Sequence, residues 1–355
     1  MVITIRAVRR HVLAAIGLVL VASAAVSPSA SAAVDVKGGY YLGGNGDVTA
    51  DAAVIGNLEA ITQYRSLADG NTFPGYQKAW IDALGPTVTR NFVLELKSYG
   101  GPTGAQTFTV DGVRYTVPAP DMTIQQRPGT TWPRAYGYGQ VLSGSIDGLL
   151  ARSLAQMKTM RHASTLTVQL ASEFDTDHEF GTTEGTTAYT WAQADARAVQ
   201  AVGYITSWFR SHGLPTGVRF SVGMGGFNRD AWKRMHPASL APSVDVLQWN
   251  AYNHGSARTA YDVFNRTKAW SVTDLPAAWL AKPVHIAEWG TAKALGDQAT
   301  WIRTVPAAIT RLNSEPGPTI VVANYFNSNP EWATLDPKAA GLAGLRDAYA
   351  VAPFR

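Results

Sequence analysis

Cysteine is absent from the 355-residue sequence, which excludes a disulfide framework, thiol chemistry and a lipid-anchoring cysteine. Charge is also scarce, because Asp, Glu, Lys and Arg together make up only 16% of the residues. No run of basic residues provides the electrostatic footprint of a nucleic-acid-binding protein. Hydrophobic residues make up 46%, too many for a disordered chain. The composition predicts a folded protein whose partner is uncharged or weakly charged.

No apolar run is long enough to cross a bilayer, and the longest one lies near the N-terminus. Arg6, Arg9 and Arg10 precede an apolar stretch at residues 12–26, which the small residues Ala-Ser-Ala at 30–32 follow. This order is typical of a secretory signal peptide. We therefore expect residues 1–32 to be removed and residues 33–355 to be a secreted, extracellular, monomeric domain. Removal lowers the formal net charge from +4 to +1, which leaves no reason to expect a nucleic-acid or membrane partner.

Strand-like and helix-like segments alternate along the chain, which favours an α/β fold with a parallel sheet. The helix-like segments have apolar residues three and four apart. Together with a weaker candidate at 138–141, the strand-like segments number eight, the count of a single (β/α)8 TIM barrel. The strand candidates are residues 36–41, 91–96, 166–170, 218–222, 244–249, 284–287 and 319–325, and the helix candidates are 148–160, 189–212, 301–313 and 338–349.

A doubly wound sheet is the alternative fold, but the first strand is not followed by a G-x-G-x-x-G turn. Residues 107–117 alternate apolar and polar side chains around Asp111-Gly112, a turn sequence typical of a β-hairpin. We expect this inserted hairpin to lie on the rim of the barrel.

Two glutamates lie at the ends of predicted barrel strands. Glu173 follows the fourth strand and Glu288 ends the seventh. Active sites of (β/α)8 barrels lie at the carboxyl ends of the strands, and glycosidic bond cleavage uses a pair of carboxyl groups. The two glutamates are therefore candidates for such a pair, although Glu288 alone would also fit a buried ion pair and Glu173 a capping carboxylate.

The strand that carries Glu288, KPVHIAEWGT at residues 282–291, resembles the nucleophile strand of the retaining (β/α)8 glycosidase clan, and more closely that of glycoside hydrolase family 26, the β-mannanases. Three further segments are similar to that family in order and spacing. They are GSIDGLL at 144–150, VDVLQWNAYN at 244–253, and VANYFN at 322–327 followed by Trp332. The resemblance covers roughly residues 36–350.

The resemblance implies that Glu288 is the nucleophile, that Glu173 is the acid/base, and that Tyr252 donates a hydrogen bond that keeps Glu288 ionised. Asn250, two residues before Tyr252, is a candidate substrate-binding residue. Ser172 departs from the pattern, because the family has His and the wider clan has Asn before the acid/base glutamate. His178-Glu179 supplies a His-Glu pair in the next loop, so Glu179 remains an alternative acid.

Other chemistries find little support in the sequence. Asp175, Asp177 and Glu179 do not complete the calcium pattern D-x-[DN]-x-[DN]-G, and a solvated rim loop is the simpler interpretation. The sequence has neither H-E-x-x-H nor G-x-S-x-G, so no metal or other cofactor is implied and a serine hydrolase is not indicated. If strand alternation holds, His285 points away from Glu288, and we interpret it as a core histidine.

Aromatic residues are plentiful, with 11 Trp and 14 Tyr. Their rings can stack on the apolar faces of sugars, although each could equally well pack in the core. Those at or beyond strand ends are candidate substrate-binding residues, together with Asn250 and Ser172. They are Trp249, Trp289, Tyr325, Phe326 and Trp332.

These observations predict a secreted retaining glycosidase with a polysaccharide substrate, either β-mannan or a related hemicellulose. Two alternatives stay open. One is a non-catalytic carbohydrate-binding barrel, which the departure at Ser172 motivates. The other is a hydrolase of another β-glycan or of an exopolysaccharide. The rim loops decide the substrate, and the sequence does not show what they contact.

Overall fold

The computed structural model describes most of the chain between Val34 and Phe354. The described residues are 34–41, 48–56, 58–67, 84–96, 104–127, 130–131, 135–171, 173–177, 182–328 and 334–354. Val34–Arg355 form one compact unit. The expected signal segment, residues 1–32, lies outside the described residues. In the described part of the chain, no helix combines the length and apolarity needed to cross a membrane.

A sheet of eight parallel strands lies at the centre of the protein. The strands are β1 (Lys37–Tyr41), β2 (Ala60–Ser66), β3 (Thr89–Glu95), β4 (Leu166–Leu170), β5 (Arg219–Val222), β6 (Leu247–Asn253), β7 (Val284–Thr291) and β8 (Ile320–Tyr325). They follow one another in space in the order β5-β4-β3-β2-β1-β8-β7-β6. Two isolated parallel bridges, from Ser221 to Val246 and from Met224 to Trp249, join the two edges at β5 and β6. The sheet thus closes into a (β/α)8 barrel, which confirms the predicted fold class.

Helices cover the outside of this barrel. Several of them begin with side-chain caps that the sequence provides, such as Thr190 before the helix Trp191–Ser211 and Asn228 before the helix Arg229–Met235. The helices are α1 (Val48–Ile55), α2 (Tyr138–Leu142), α3 (Asp147–Lys158), α4 (Phe174–Asp177), α5 (Trp191–Ser211), α6 (Arg229–Met235), α7 (Ala260–Asp274), α8 (Ala277–Leu280), α9 (Gln298–Arg303), α10 (Val305–Ser314) and α11 (Lys338–Tyr349). Short 3-10 turns lie at Ala163–Thr165, Ala241–Ser243 and Lys293–Leu295.

Two accessory sheets decorate the barrel. The predicted hairpin is confirmed, since Gln106–Val110 and Val113–Val117 pair antiparallel around Asp111 and Gly112. The hairpin packs on the first half of α3, where the guanidinium of Arg152 lies 4.5 Å from the ring centre of Phe108. A second sheet of four short strands comprises Met122–Arg127, Thr130–Thr131, Thr182–Glu184 and Thr187–Tyr189.

Two errors in the predicted element order cancel each other. The segment predicted as a weak strand at 138–141 is the helix α2, where Gly137 and the side chain of Gln140 form a capping arrangement. The missing strand is β2, which the polar sequence AITQYRS concealed. Because one strand is lost and another gained before residue 166, Glu173 still follows the fourth strand.

A further difference concerns the helix predicted over residues 301–313. The structure divides this region into α9 and α10, with Thr304 between them and Pro306 in the first turn of α10. Proline lacks the amide hydrogen that a continuous helix would need at that position.

The strand β7 contains one extra residue near Ala287. Gln248 of β6 pairs with His285, whereas Asn250 pairs with Glu288, so two steps along β6 match three along β7. His285 therefore shares the inner face of the barrel with Glu288, and the prediction that the two point to opposite sides is wrong. His285 is fully buried, as expected for a core histidine, and burial lowers its pKa well below the ordinary value.

Candidate active site

The two candidate glutamates lie at the carboxyl end of the barrel, on opposite sides of its mouth. Glu288 belongs to β7, which is buried along its whole length. Glu173 lies three residues after the end of β4, in a turn where Ala171 has φ 63° and Glu173 has φ 46°. This left-handed backbone redirects the chain at the strand end, so that the side chain of Glu173 reaches into the mouth.

One side-chain amide joins the two carboxyl groups. Nδ2 of Asn250 donates hydrogen bonds to Oε1 of Glu173 at 3.0 Å and to Oε2 of Glu288 at 2.9 Å. These two oxygens are therefore no more than about 6 Å apart, a limit that admits the roughly 5–5.5 Å carboxyl separation of retaining glycosidases. Inverting glycosidases hold their carboxyl groups further apart, at about 6.5–9.5 Å.

The strand β6 supplies two side chains that donate hydrogen bonds to Glu288. Asn250 and Tyr252 are two residues apart, so strand alternation directs both into the barrel. The hydroxyl of Tyr252 donates a hydrogen bond of 2.6 Å to Oε2 of Glu288, the same oxygen that Asn250 contacts. The structure therefore contains the Tyr252 hydrogen bond that the sequence resemblance implied.

The pKa of Glu288 does not follow from that hydrogen bond alone. Glu288 is only 4% exposed, and burial raises its pKa to about 8. The donors Tyr252 and Asn250 favour the ionised carboxylate, but removal from water favours the neutral form more strongly. The sequence resemblance implied that the hydrogen bond from Tyr252 keeps Glu288 ionised, but burial outweighs that hydrogen bond and raises the pKa of Glu288.

Asp175 also differs from its prediction. It was expected in a solvated rim loop, yet it is 2% exposed, and its carboxylate accepts hydrogen bonds from the backbone amides of Gly225, Phe227 and Asn228. The alternative acid Glu179 lies outside the described residues. Among the residues that the structure describes, no group of three or more His, Asp or Glu side chains is placed to hold a metal ion.

A wall of partly buried aromatic rings lines the mouth beside Tyr252. The ring of Phe326 lies 4.6 Å from that of Tyr41 and 6.3 Å from that of Tyr252, and the ring of Tyr64 lies 5.5 Å from that of Tyr41. Phe326 was among the predicted substrate-binding residues, whereas Tyr41 and Tyr64, whose rings contact it, were not. Tyr41 ends a correctly predicted strand and was detectable, whereas Tyr64 belongs to the strand that the polar residues concealed.

Three predicted substrate-binding aromatics face the helices instead of the mouth. Trp249, Trp289 and Tyr325 are each fully buried. Trp249 packs edge-on against Trp232 of α6, with ring centres 5.7 Å apart. Trp289 packs edge-on against Tyr325 at 4.8 Å. Proximity to a strand end did not reveal which face of the strand each ring occupies, so these three assignments are corrected to core packing. Ser172 and Trp332 lie outside the described residues.

No known protein-family profile matches the sequence, and no curated protein matches it. Solved structures with the same fold are numerous. A mannanase from Bacillus subtilis aligns with a TM-score of 0.52 at 12% identity, covering 90% of this chain and 86% of its own. A modular endo-β-1,4-mannanase of glycoside hydrolase family 26 from Cellulomonas fimi aligns with 0.53 at 16% identity, covering 90% and 71%. A family 39 glycoside hydrolase from Bacteroides cellulosilyticus aligns with 0.52 at 11% identity, covering 88% and 64%. At these identities the similarity establishes the (β/α)8 fold that the chain shares with glycoside hydrolases.

Proposed function

We propose that the protein is a secreted retaining glycoside hydrolase that cleaves a β-linked polysaccharide, β-mannan or a related hemicellulose, by double displacement. The observation that carries this proposal is the pair of carboxyl groups of Glu173 and Glu288, which Asn250 bridges at the mouth of the barrel. Mannan is the favoured substrate because the aligned Bacillus and Cellulomonas proteins are described as mannanases.

In the first step an oxygen of Glu288 attacks the anomeric carbon while Glu173 transfers its proton to the glycosidic oxygen. The bond between the anomeric carbon and that oxygen breaks, and a covalent glycosyl ester forms on Glu288. In the second step Glu173 takes a proton from water, and the water oxygen displaces Glu288 from the anomeric carbon.

The two carboxyl groups must hold one proton between them for this reaction. Since burial raises the pKa of Glu288 to about 8, the pair retains a proton at neutral pH. That proton must lie on Glu173 when Glu288 attacks. Tyr252 and Asn250 support this distribution, because both donate hydrogen bonds to Glu288 and stabilise its ionised form. The positive charge that develops on the sugar favours the same distribution.

The aromatic wall of Tyr41, Tyr64 and Phe326 supports a sugar ligand. These rings are partly exposed, they contact one another, and that of Phe326 lies 6.3 Å from the ring of Tyr252. Sugar rings expose apolar C–H faces that pack on such surfaces.

Hydrolysis of a panel of glycans tests this function. We expect sugar release from mannan, glucomannan or another member of a set that includes xylans and β-glucans. Glu288→Gln should reduce release at least about 10³-fold, since an amide cannot form the glycosyl ester. Glu173→Ala should lose about 10²–10⁴-fold on the polysaccharide, whose leaving group needs a proton. On a dinitrophenyl glycoside, where the glycosyl ester forms without an acid, added azide should restore turnover, because azide displaces Glu288 without a general base.

Equal activity of the wild type and Glu288→Gln would refute the site assignment. If neither cleaves any glycan, and the wild type binds one, the non-catalytic carbohydrate-binding alternative replaces the proposed function.

The proposed export rests on the signal-like sequence before Ala33. The N-terminal residue of the protein recovered from the culture medium tests it, and Ala33 is the expected result.

A further inference from the structure

The turn that carries Glu173 has an unfavourable backbone. Ala171 and Glu173 both have positive φ, at 63° and 46°, although neither is a glycine. For a residue with a side chain this conformation costs roughly 1–2 kcal/mol. The surrounding structure must therefore hold the turn in place if the carboxyl of Glu173 is to stay beside Asn250.

Asp175 joins this turn to the rest of the barrel through three hydrogen bonds. One carboxylate oxygen accepts the amide of Gly225 at 2.5 Å, and the other accepts the amides of Phe227 and Asn228 at 2.8 and 3.1 Å. Next to it, the amide of Phe174 donates to the carbonyl of Gly223 at 3.2 Å. Two residues after Glu173, the chain is thus fastened to the loop that follows β5.

The loop at residues 223–228 also supports Asn250. The backbone amide of Asn250 donates a hydrogen bond to the carbonyl of Met224 at 3.0 Å. Gly226 lies so close to β6 that a Cβ added to it would be 3.3 Å from the backbone carbonyl oxygen of Asn250. The loop therefore contacts both the turn that carries Glu173 and the strand that carries Asn250. At its end, Asn228 caps α6 by accepting the amide of Ala231 at 3.0 Å, which fixes the loop on a helix.

We propose that Asp175 is a positioning residue, whose buried carboxylate fastens the turn of Glu173 to loop 223–228 and so places the acid/base carboxyl beside Asn250. The inference rests on the proposed function, because it assigns Glu173 the role of acid/base. An ordinary buried ion pair would only neutralise the carboxylate of Asp175. The three amides bound by this carboxylate also connect the turn that carries Glu173 to the loop that contacts the strand of Asn250.

The test compares Asp175→Asn with Glu173→Ala on two substrates. One is the polysaccharide that the wild type cleaves, and the other is a dinitrophenyl glycoside of the same sugar, whose leaving group departs without protonation. An asparagine has one acceptor oxygen, so at least one of the amides of Gly225, Phe227 and Asn228 loses its partner. We expect kcat on the polysaccharide to fall about 10²-fold with KM nearly unchanged. On the dinitrophenyl glycoside, formation of the glycosyl intermediate should keep its wild-type rate, as in Glu173→Ala.

Asp195→Asn is the matched control. Asp195 is also a fully buried carboxylate, but it pairs with the side chain of Arg234 at 2.6 Å, in the last turn of α6 and not in the turn of Glu173 or in loop 223–228. This variant should lose stability without changing kcat on either substrate. Asp175→Glu is a second variant in case Asp175→Asn does not fold. It keeps all the acceptor oxygens but displaces them by one methylene, so an intermediate loss on the polysaccharide alone is expected.

The outcomes separate the inference from the proposed function. If the wild type is active but Asp175→Asn loses nothing on the polysaccharide, or slows formation of the glycosyl intermediate on the dinitrophenyl glycoside by the same factor as cleavage of the polysaccharide, Asp175 does not position Glu173 and the inference fails while the function stands. A wild type that cleaves neither substrate overturns the proposed function, and the inference falls with it.

Discussion

Asn250 donates to the carboxyl groups of both candidate catalytic glutamates. Its position on β6 could be predicted, since strand alternation places it on the same face as Tyr252. Its double contact could not, because that depends on the left-handed turn at Ala171 and Glu173. Local sequence does not encode this turn, since both residues are of types that ordinarily avoid such a backbone.

Burial of Glu288 costs folding stability in a pH-dependent manner. Its pKa is about 8 in the folded protein against 4.5 for an exposed glutamate. Between these values the unfolded chain releases the proton that the folded protein retains, so stability falls as pH rises through this range. The shift corresponds to at most about 5 kcal/mol above pH 8.

We therefore expect Glu288→Gln to gain stability relative to the wild type as pH rises. The amide cannot ionise, and its oxygen can still accept hydrogen bonds from Tyr252 and Asn250. Thermal unfolding of both proteins at pH 5 and pH 9 measures the effect. The Tm of Glu288→Gln minus the Tm of the wild type should increase by several degrees from pH 5 to pH 9. A difference that is the same at both pH values would contradict the raised pKa.

At the scale of elements, strands with continuous apolar sequence were located well. β4 has the predicted bounds, and the β1, β3, β5 and β8 bounds differ by one or two residues. β2 was missed because its buried side chains include Thr62, Gln63 and Arg65. Buried polar residues produce no hydrophobic signal, and the apolar periodicity used to find strands depends on such a signal.

The contact between the hairpin and α3 gives a prediction with an internal control. A Cβ added to Gly148 of α3 would lie 2.5 Å from the Cβ of Tyr115 in the hairpin. Gly148→Ala should therefore push the hairpin away and cost about 1–3 kcal/mol. Gly203 lies within α5 with a single atom near its position, 4.0 Å away. Gly203→Ala should stabilise the protein by about 0.5–1 kcal/mol.

Chemical denaturation of the two alanine variants checks this pair of opposite effects. If Gly148→Ala were as stable as Gly203→Ala, the hairpin would not be packed on α3 as described.

At the scale of the whole molecule, the barrel separates two kinds of packing. Outside the strands, large apolar rings such as Trp232, Trp249 and Trp289 join the barrel to its helices. Inside, polar side chains form direct contacts, such as that between Asn91 and Gln169 at 2.9 Å. The alternation of strand and helix predicted the fold, but it could not predict this division, since a strand buried on both faces does not reveal which face is inner.

The same limitation explains which parts of the candidate site could be predicted from the sequence. The two glutamates could be located because strand ends gather at one edge of a parallel barrel. The substrate-binding aromatics could not be sorted, because Phe326 lines the mouth whereas its neighbour Tyr325 faces the helices. Asp175 was misinterpreted because its partners lie 50 or more residues away in the chain.

The stereochemistry of hydrolysis tests the proposed mechanism most directly. Proton NMR during cleavage of a β-linked oligosaccharide identifies the anomer that is released first, before mutarotation. Two successive displacements at one carbon predict the β-anomer from the wild type and no product from Glu288→Gln. Release of the α-anomer, or unchanged release by Glu288→Gln, would contradict the assignment of Glu173 and Glu288 as a retaining pair.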